Sequence, residues 1–381
     1  MSPFSIALNG FFWATPHVGS GQYLHGLLPA LAALAPDDRR TLAVMGEAEG
    51  VAPTWAEVVS WRPPVTARGV TADLAKTWFE QTVFPRLAHN ADLAHVPYFA
   101  PPLRPTVPTV VTVHDLIPLV LPQYRGSPLA RLYFRLVTAA LPRAVHVITD
   151  SEYSRHEILT RFRLPPDRVT TVHLAAAERF RPATAAEQAA VRARYGLPEP
   201  FILYLAGFDV RKDVQTLLRA YAEVRRQGVS LPLVCAGGLP RDSAVTPDPR
   251  RQAAELGLKG VLFPGWIRAE DQPALLSAAT VFCFPSRYEG FGLPPLEAMA
   301  CGTPTVVADA TSLPEVVGDA ALTHPPGDWR ALADALRRLL TDADLRAGLR
   351  ERGLDRARQF SWARVAAETH VVYQKVVNSP G

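Results

Sequence analysis

The sequence predicts an α/β protein of two doubly wound domains, each a parallel sheet flanked by helices. Three observations carry that expectation. At 381 residues the chain is too long for one ordinary core and suits two. Short β-rich runs alternate with longer stretches of helical periodicity in both halves. The alternation breaks once, near 175–198, where a strand-like Val169–Leu174 gives way to Phe180-Arg181-Pro182 and an Ala/Arg helix ending at Tyr195-Gly196.

In the first half, strands are predicted at Ser5–Asn9, Thr41–Met45, Leu93–His95, Thr109–His114 and His146–Thr149. Helices are predicted at Tyr23–Leu34, Leu74–Leu87 and Leu129–Leu141. In the second half the strands read Phe201–Leu205, Leu233–Ala236, Val261–Phe263, Val281–Phe284 and Thr305–Val307. The helices there read Val214–Gln227, Gln272–Ala278, Pro295–Ala300, Trp329–Leu340 and Leu345–Gln359. The predicted division is a Rossmann-like domain over 1–178, a linker over 179–196 and a second Rossmann-like domain over 197–360. An amphipathic terminal helix in 361–381 is expected to pack back toward the first domain. Two such domains would leave a cleft at the carboxyl ends of their strands, where open α/β sheets bind ligands.

Composition narrows the function. Hydrophobic residues at 48% and aromatics at 9% describe a globular chain. A net charge of +4 falls well short of a nucleic-acid footprint, while it suits contact with anionic lipids or phosphorylated substrates. Cys235, Cys283 and Cys301 have neither disulfide nor zinc spacing, which fits a reducing compartment. Met1–Asn9 does not read as a signal peptide, and no apolar run is long enough to span a bilayer. A cytoplasmic protein is expected, with peripheral contact at the inner face of a membrane as a further possibility. The 36 prolines are spread through loops and carry no functional reading.

The most informative stretch is Pro285-Ser286-Arg287-Tyr288-Glu289-Gly290-Phe291-Gly292-Leu293-Pro294-Pro295-Leu296-Glu297. A buried strand ends in a loop with an acid and two glycines, and two prolines suit the opening helical turn. Glycines let backbone approach a ligand, and the helix start presents amides and the positive end of a dipole. Glu289 in the loop is placed to face a ligand. Glu297 in the first turn is an acceptor for two hydroxyls, such as those of a ribose. For either Glu alone, a dipole acid or a solvated loop acid is the plainer reading.

The whole string, with seven residues between Glu289 and Glu297 and with Ala298-Met299-Ala300-Cys301-Gly302-Thr303-Pro304 following, resembles the signature of family 4 glycosyltransferases. The resemblance implies a GT-B fold, two Rossmann-like domains facing a central cleft. It implies that Glu289 contacts a donor sugar, that Glu297 holds the nucleotide ribose, and that amides of Gly290, Phe291, Gly292 and Leu293 line the donor diphosphate. Gly207-Phe208-Asp209-Val210-Arg211-Lys212-Asp213 follows the first strand of the second domain and is similar to the family's Arg-Lys element. There an Arg fork and a Lys point charge neutralise a departing diphosphate. Standing alone, it would read as a solvated basic turn. Asp213 stands where the family often has Asn.

In the first domain, His114-Asp115 at a strand end resembles the family's His-Asp pair, in which the His approaches the donor sugar. A backbone-bonded strand cap explains His114 equally well, and Asp115 either orients it or begins a turn. Gly19-Ser20-Gly21-Gln22-Tyr23 resembles the glycine loop facing donor phosphate and acceptor. It is no dinucleotide fingerprint, because Leu24 replaces the third glycine. His17 beside it is a candidate acceptor contact or an ordinary loop residue. Thr149-Asp150-Ser151-Glu152 reads as a capping box. Trp266 reads either as a neighbour of the nucleotide base, as in relatives, or as a packing residue.

No zinc spacing, His-Glu-x-x-His or Walker loop is present, and Asp342-Ala343-Asp344 reads as a surface turn. No metal or cofactor is therefore expected; Arg211, Lys212 and helix amides are expected to do what Mg²⁺ does elsewhere. From Tyr124 to Thr149 the chain carries Arg125, Arg131, Arg135 and Arg143 without any acid. This face suits anionic lipid, or snorkelling arginines on an ordinary domain helix.

The resemblance covers nearly the whole chain. It implies a retaining, metal-independent hexosyltransferase, most similar to bacterial mannosyltransferases of cell-surface polysaccharides. The implied partners are a nucleotide sugar, GDP-mannose first and UDP-sugars next, and a glycan or lipid-linked saccharide acceptor, with no nucleic acid. An epimerase or phosphorylase of the same fold, or a non-catalytic nucleotide-sugar-binding protein, is the alternative.

Overall fold

The structure is a computed structural model that describes residues 3–16, 18–46, 53–63, 69–124 and 126–379. It divides into two compact units, residues 1–174 with 362–381, and residues 175–361.

The first unit is built on a parallel sheet of seven strands in the order β3-β2-β1-β4-β5-β6-β7. These are β1 (Ser5–Asn9), β2 (Arg39–Met45), β3 (Glu57–Trp61), β4 (Leu93–Val96), β5 (Thr109–Val113), β6 (His146–Thr149) and β7 (Val169–Thr171). The central strands β4, β5 and β6 are buried throughout, as expected when helices cover both faces of a parallel sheet. The second unit has six parallel strands in the order β10-β9-β8-β11-β12-β13. These are β8 (Ile202–Leu205), β9 (Leu233–Ala236), β10 (Val261–Gly265), β11 (Val281–Phe284), β12 (Thr305–Ala308) and β13 (Leu322–His324). In both sheets the order runs outward from the first strand and then reverses, so each has a switch point: between β1 and β4, and between β8 and β11. Loops leaving the carboxyl ends of those strands border a natural crevice.

Three sequence expectations are corrected. Strands β3 and β13 had no predicted counterpart; they are partly exposed edge strands, whose mixed pattern lacks the apolar run of the central ones. Residues 179–196 are not a linker but part of the second unit. Their helix, Ala185–Tyr195, opens with a capping box between Thr184 and Glu187 and closes at the left-handed Gly196. Arg194 and Tyr195 bond Asp271 at 3.0 and 2.8 Å, and Ala183 donates to Ser277 at 3.0 Å. The Ala/Arg composition concealed these long-range ties. The capping box read at Thr149–Glu152 is also absent. Thr149 donates instead to the Val113 carbonyl, and Ser151 caps the helix Glu152–Phe162 by accepting from Ser154. Asp342 caps the helix Ala343–Arg358, so the Asp-Ala-Asp string is a helix start.

The terminal helix Trp362–Asn378 belongs to the first unit and packs on the helix Gly19–Leu34. A Cβ at Gly26 would fall 2.2 Å from the Trp362 ring, so this approach needs glycine. Beneath it His95 bonds Tyr373 at 2.6 Å and Thr112 at 2.8 Å. Burial pushes the His95 pKa down to about 3, which keeps this polar core residue neutral. No helix among the described residues is long and apolar enough to cross a membrane.

Candidate active site

The loops at the second unit's switch point hold most of the residues singled out from sequence. After β8, the chain passes Gly207, whose carbonyl accepts from Tyr204, and makes a short 3₁₀ turn over Val210–Lys212. After β11, it passes Ser286 and Glu289 and enters the helix Leu293–Ala300 through Gly292. Because β8 and β11 are neighbours, the two loops meet. The Arg287 amide donates to the Arg211 carbonyl at 2.7 Å, and Arg211 donates to the Tyr288 carbonyl at 3.0 Å.

At their meeting point one carboxylate oxygen gathers three donors. Glu289 Oε1 accepts from Lys212 Nζ at 2.6 Å, from Ser286 Oγ at 2.6 Å and from Arg211 at 3.0 Å. Glu289 Oε2 accepts no hydrogen bond from the described residues, so one oxygen of the acid is left for a ligand. Arg211 also pairs with Asp209 at 3.2 Å. The cations are therefore not bare. Each is held by an acid, which sets their positions before any ligand arrives.

Electrostatics follow from burial. Lys212 is buried and lies 4.8 Å from the centre of the Phe284 ring. Burial pulls its pKa below the usual lysine value, and Glu289 is the main group opposing that pull. For Glu289, burial works against the charge, but Lys212 and Arg211 outweigh it and hold the carboxyl below its ordinary range. The pair is a buried ion pair whose members each need the other.

The helix start is shaped for close backbone approach. Gly292 sits at φ 123°, a region L side chains rarely adopt, and a Cβ there would fall 2.8 Å from Leu313. Pro294 and Pro295 remove two donors from the first turn, so the amides of Gly292 and Leu293 lead the helix. Thr311 and Ser312 brace the loop from behind. Thr311 accepts from the Glu289 amide at 3.0 Å, while Ser312 donates to the carbonyls of Glu289 and Phe291. Glu297 is half-buried on the same helix, and its carboxylate has no hydrogen-bond or ion-pair partner among the described residues. Burial pushes its pKa up to about 8, with Arg179 a smaller opposing influence.

Trp266 follows β10 and is 63% exposed, so it is no packing residue. Its ring would lie 3.6 Å from a Cβ built on Gly238, which follows β9. This leaves an open aromatic face at the same end of the sheet.

In the first unit, His114 caps β5. Its Nδ1 meets Asp150 at 2.8 Å and its Nε2 meets the Pro97 carbonyl at 3.1 Å. Both neighbours are acceptors, an arrangement that suits an imidazolium with two N–H donors. Burial opposes the charge, but Asp150 chiefly, then Asp115 and the Pro97 carbonyl, raise the His114 pKa above its ordinary value. Of the two readings open for Asp115, the turn is the one observed: its Oδ1 accepts from Ile117 at 2.9 Å. The Tyr23 ring meets His114 edge-on at 4.8 Å, which links it to the helix begun by Gly19 and Gly21. Gly21 is required by packing, since a Cβ would fall 2.0 Å from the Thr15 carbonyl oxygen; Gly19 has open space. His17 and Arg125 lie outside the described residues.

Thus Arg211, Lys212, Gly207 and the 289–297 segment belong to the second unit, and His114, Gly19 and Gly21 to the first. Sequence reading missed Ser286, Thr311, Ser312 and the role of Asp150. The first three are small hydroxyls without a spacing signal, although Thr311 adopts a positive φ of 50°. Asp150 was read as part of a cap. Among the described residues no group of three or more His, Cys, Asp or Glu is arranged to hold a metal ion.

Known proteins identify the family and the fold. The model of Glycosyltransferase Family 4 matches residues 19–176, and that of Glycosyl transferases group 1 matches residues 188–356. The chain is 35% identical over 269 residues to O-antigen chain mannosyltransferase B of Escherichia coli, covering 70% of each protein. It is 32% identical over 265 residues to the serotype-specific mannosyltransferase WbdA of the same organism, covering 68% of this chain but 32% of that longer one. Among solved structures, sucrose-phosphate synthase of Thermosynechococcus elongatus superposes with a TM-score of 0.76 at 24% identity, covering 98% of this chain and 99% of that one. With two parallel-sheet units and both family models matched, the chain belongs to glycosyltransferase family 4 and is a glycosyltransferase of GT-B fold.

Proposed function

We propose that this enzyme transfers a hexose, mannose from GDP-mannose in the first instance, to a glycan or lipid-linked saccharide with retention and without a metal ion. The observation that carries the reading is the divided Glu289 carboxylate. Its Oε1 fixes Lys212 and Arg211 side by side, and its Oε2 remains for a sugar hydroxyl. Arg211 and Lys212 would take up the charge that leaves with the nucleoside diphosphate, as fixed charges in a dry site do effectively. The leaving phosphate would accept the acceptor's proton on the face it departs from, so no separate base is needed. The amides of Gly290, Phe291, Gly292 and Leu293 would line the diphosphate, Glu297 the ribose, and Trp266 the base. Gly207 would let the β8 loop approach the donor. In the first unit, Gly19 and Gly21 would face the phosphate, and His114, held by Asp150, would approach the sugar. The similarity to mannosyltransferases supports the choice of mannose.

A donor panel tests this, with GDP-mannose, GDP-fucose, UDP-glucose and UDP-galactose. GDP-mannose should raise the melting temperature most and should release GDP only when a polysaccharide-type acceptor is added. Interconversion of the donor without acceptor would instead indicate an epimerase, and binding without turnover a non-catalytic protein. The α-configured product is expected by NMR of the new linkage. Added EDTA should leave the rate within about twofold; a rate abolished by EDTA and restored by Mg²⁺ would remove metal independence from the proposal, since a metal Lewis acid contributes several kcal/mol where it is used.

Glu297 supplies a pH dependence. Its folded pKa of about 8 exceeds the unfolded value of 4.5, so the folded state holds an extra proton between those limits. Stability should fall as pH rises through that window. Ribose hydroxyls favour the ionised acceptor, so nucleotide binding near pH 7 should release a proton and strengthen toward pH 8. Calorimetry in buffers of different ionisation enthalpy measures this directly. Glu297→Gln should weaken nucleotide binding, abolish the proton release and flatten the stability profile; unchanged proton release would exclude Glu297 as its source.

A further inference from the structure

The helix Val70–Trp78 in the first unit is amphipathic, yet Lys76 turns inward while its apolar stripe faces solvent. Lys76 forms an ion pair with Glu80 at 2.7 Å and donates to Tyr133 at 2.8 Å, and Tyr133 donates to Glu80 at 2.8 Å. The Lys76 ammonium also lies over the rings of Phe11, Tyr98 and Tyr133, 4.4 Å from the last. Glu80 is fully buried, within a π-helical turn over Phe79–Val83. The opposite side of the helix carries Val70, Leu74 and Trp78 at intervals of four, and these are 64%, 52% and 55% exposed. No residue of this helix is buried. An apolar stripe left in water while a Lys–Glu pair takes the inner side is the reverse of ordinary packing.

The neighbouring helix Pro128–Ala140, tied on through Tyr133, adds Leu132 at 61% exposure. A groove of about 930 Å³ runs along this face, lined among others by Trp61, Leu74, Trp78, Leu103, Arg104 and Leu136. Apart from the exposed Asp73 on the same helix, the charge on this surface is basic. The chain has no acid from 124 to 149, and Arg104, Arg131 and Arg135 have no carboxylate partner among the described residues. A second copy would bring three arginines with one acid against the same set, a poor match in charge. A surface that offers both phosphates and hydrocarbon matches both features.

We propose that this face docks on an anionic bilayer, with Leu74, Trp78 and Leu132 entering the interfacial region and Arg104, Arg131 and Arg135 meeting lipid phosphates. The inference stands on the exposed face and does not need the donor assignment.

The test is sedimentation of the full chain with vesicles of phosphatidylcholine alone, and of equimolar phosphatidylcholine and phosphatidylglycerol. Binding to the anionic vesicles is expected, weakening as salt rises. The pair Leu74→Ser with Trp78→Ser, and separately Arg131→Glu with Arg135→Glu, should each lower partitioning by about tenfold or more. All four positions are surface ones, and the melting temperature without ligand should be unchanged in both variants, which separates loss of docking from loss of fold. Absence of binding to the anionic vesicles, equal binding to both kinds, or parental binding by both variants would overturn the proposal. So would a dimer in solution that the Leu74/Trp78 variant splits, since a second copy would then own the face.

Discussion

Lys212→Ala should lower turnover by about a hundredfold or more and also destabilise the second unit. The first effect follows from the proposed chemistry. Lys212 is a buried point charge in the β8 loop, fixed 2.6 Å from Glu289, and a departing diphosphate would lose half of its paired cations with it. The second effect follows from burial. Without Lys212, the Glu289 carboxylate keeps only Arg211 and Ser286 as donors on Oε1, in a site that already disfavours its charge. Breaking a buried pair on one side costs roughly 3–5 kcal/mol, because the remaining charge is uncompensated. Urea unfolding and single-turnover kinetics separate the two. Lys212→Met, which removes the charge but keeps most of the stem, should share the kinetic loss. Turnover within a few-fold of the parent in a folded Lys212→Ala enzyme would remove the lysine from the mechanism.

Glu289→Ala is the companion change, and its signature is a shifted pH profile. Burial already lowers the Lys212 pKa, and Glu289 is the chief influence holding it up. Removing that carboxylate should lower the lysine's pKa further. The cation would then be lost at a less alkaline pH, and the alkaline limb of the kcat profile should move toward neutrality. At pH 7 the rate should fall by about a hundredfold or more, since both the oxygen proposed to face the sugar and the positioning of two cations are lost. Glu289→Gln should recover part of the stability but not the rate. A parental profile in Glu289→Ala would show that the lysine is held charged by other groups. Arg211→Ala should lie on the same scale, with a smaller stability loss, because Arg211 is less buried and has Asp209 as a second partner.

The two units differ in how legible they were. In the second, the strand before each functional loop is a short apolar run, Ile202–Leu205 and Val281–Phe284, and the loops carry Gly, Pro and charge in a compact string. Such features are local, and sequence displays them. In the first, His114 was visible as a strand-end residue, but its partner was not. Asp150 lies 36 positions away at the head of the next helix, where an acid reads equally well as part of a cap. The helix near residue 74 was foreseen without its π-turn or its inverted seating. Amphipathic spacing says that a helix has two sides and leaves open which one turns inward. That choice was made by Tyr133, Tyr98 and Phe11, residues on three other segments.

By itself, then, the amino-acid order determined most of the elements, the presence of two doubly wound units and the identity of the chemical groups. Alternation, helical period, capping and glycine loops all act within a few residues of one another. Tertiary structure alone decided the partners. Lys212 and Glu289 are 77 positions apart and meet only because the strand order sets β8 beside β11. The same contact makes the Arg211–Lys212 pair part of a cluster with Glu289 and Asp209, positioned before any ligand arrives. Charge pairing depends on distance in space, and spacing along the chain carries no record of it until the sheet is assembled.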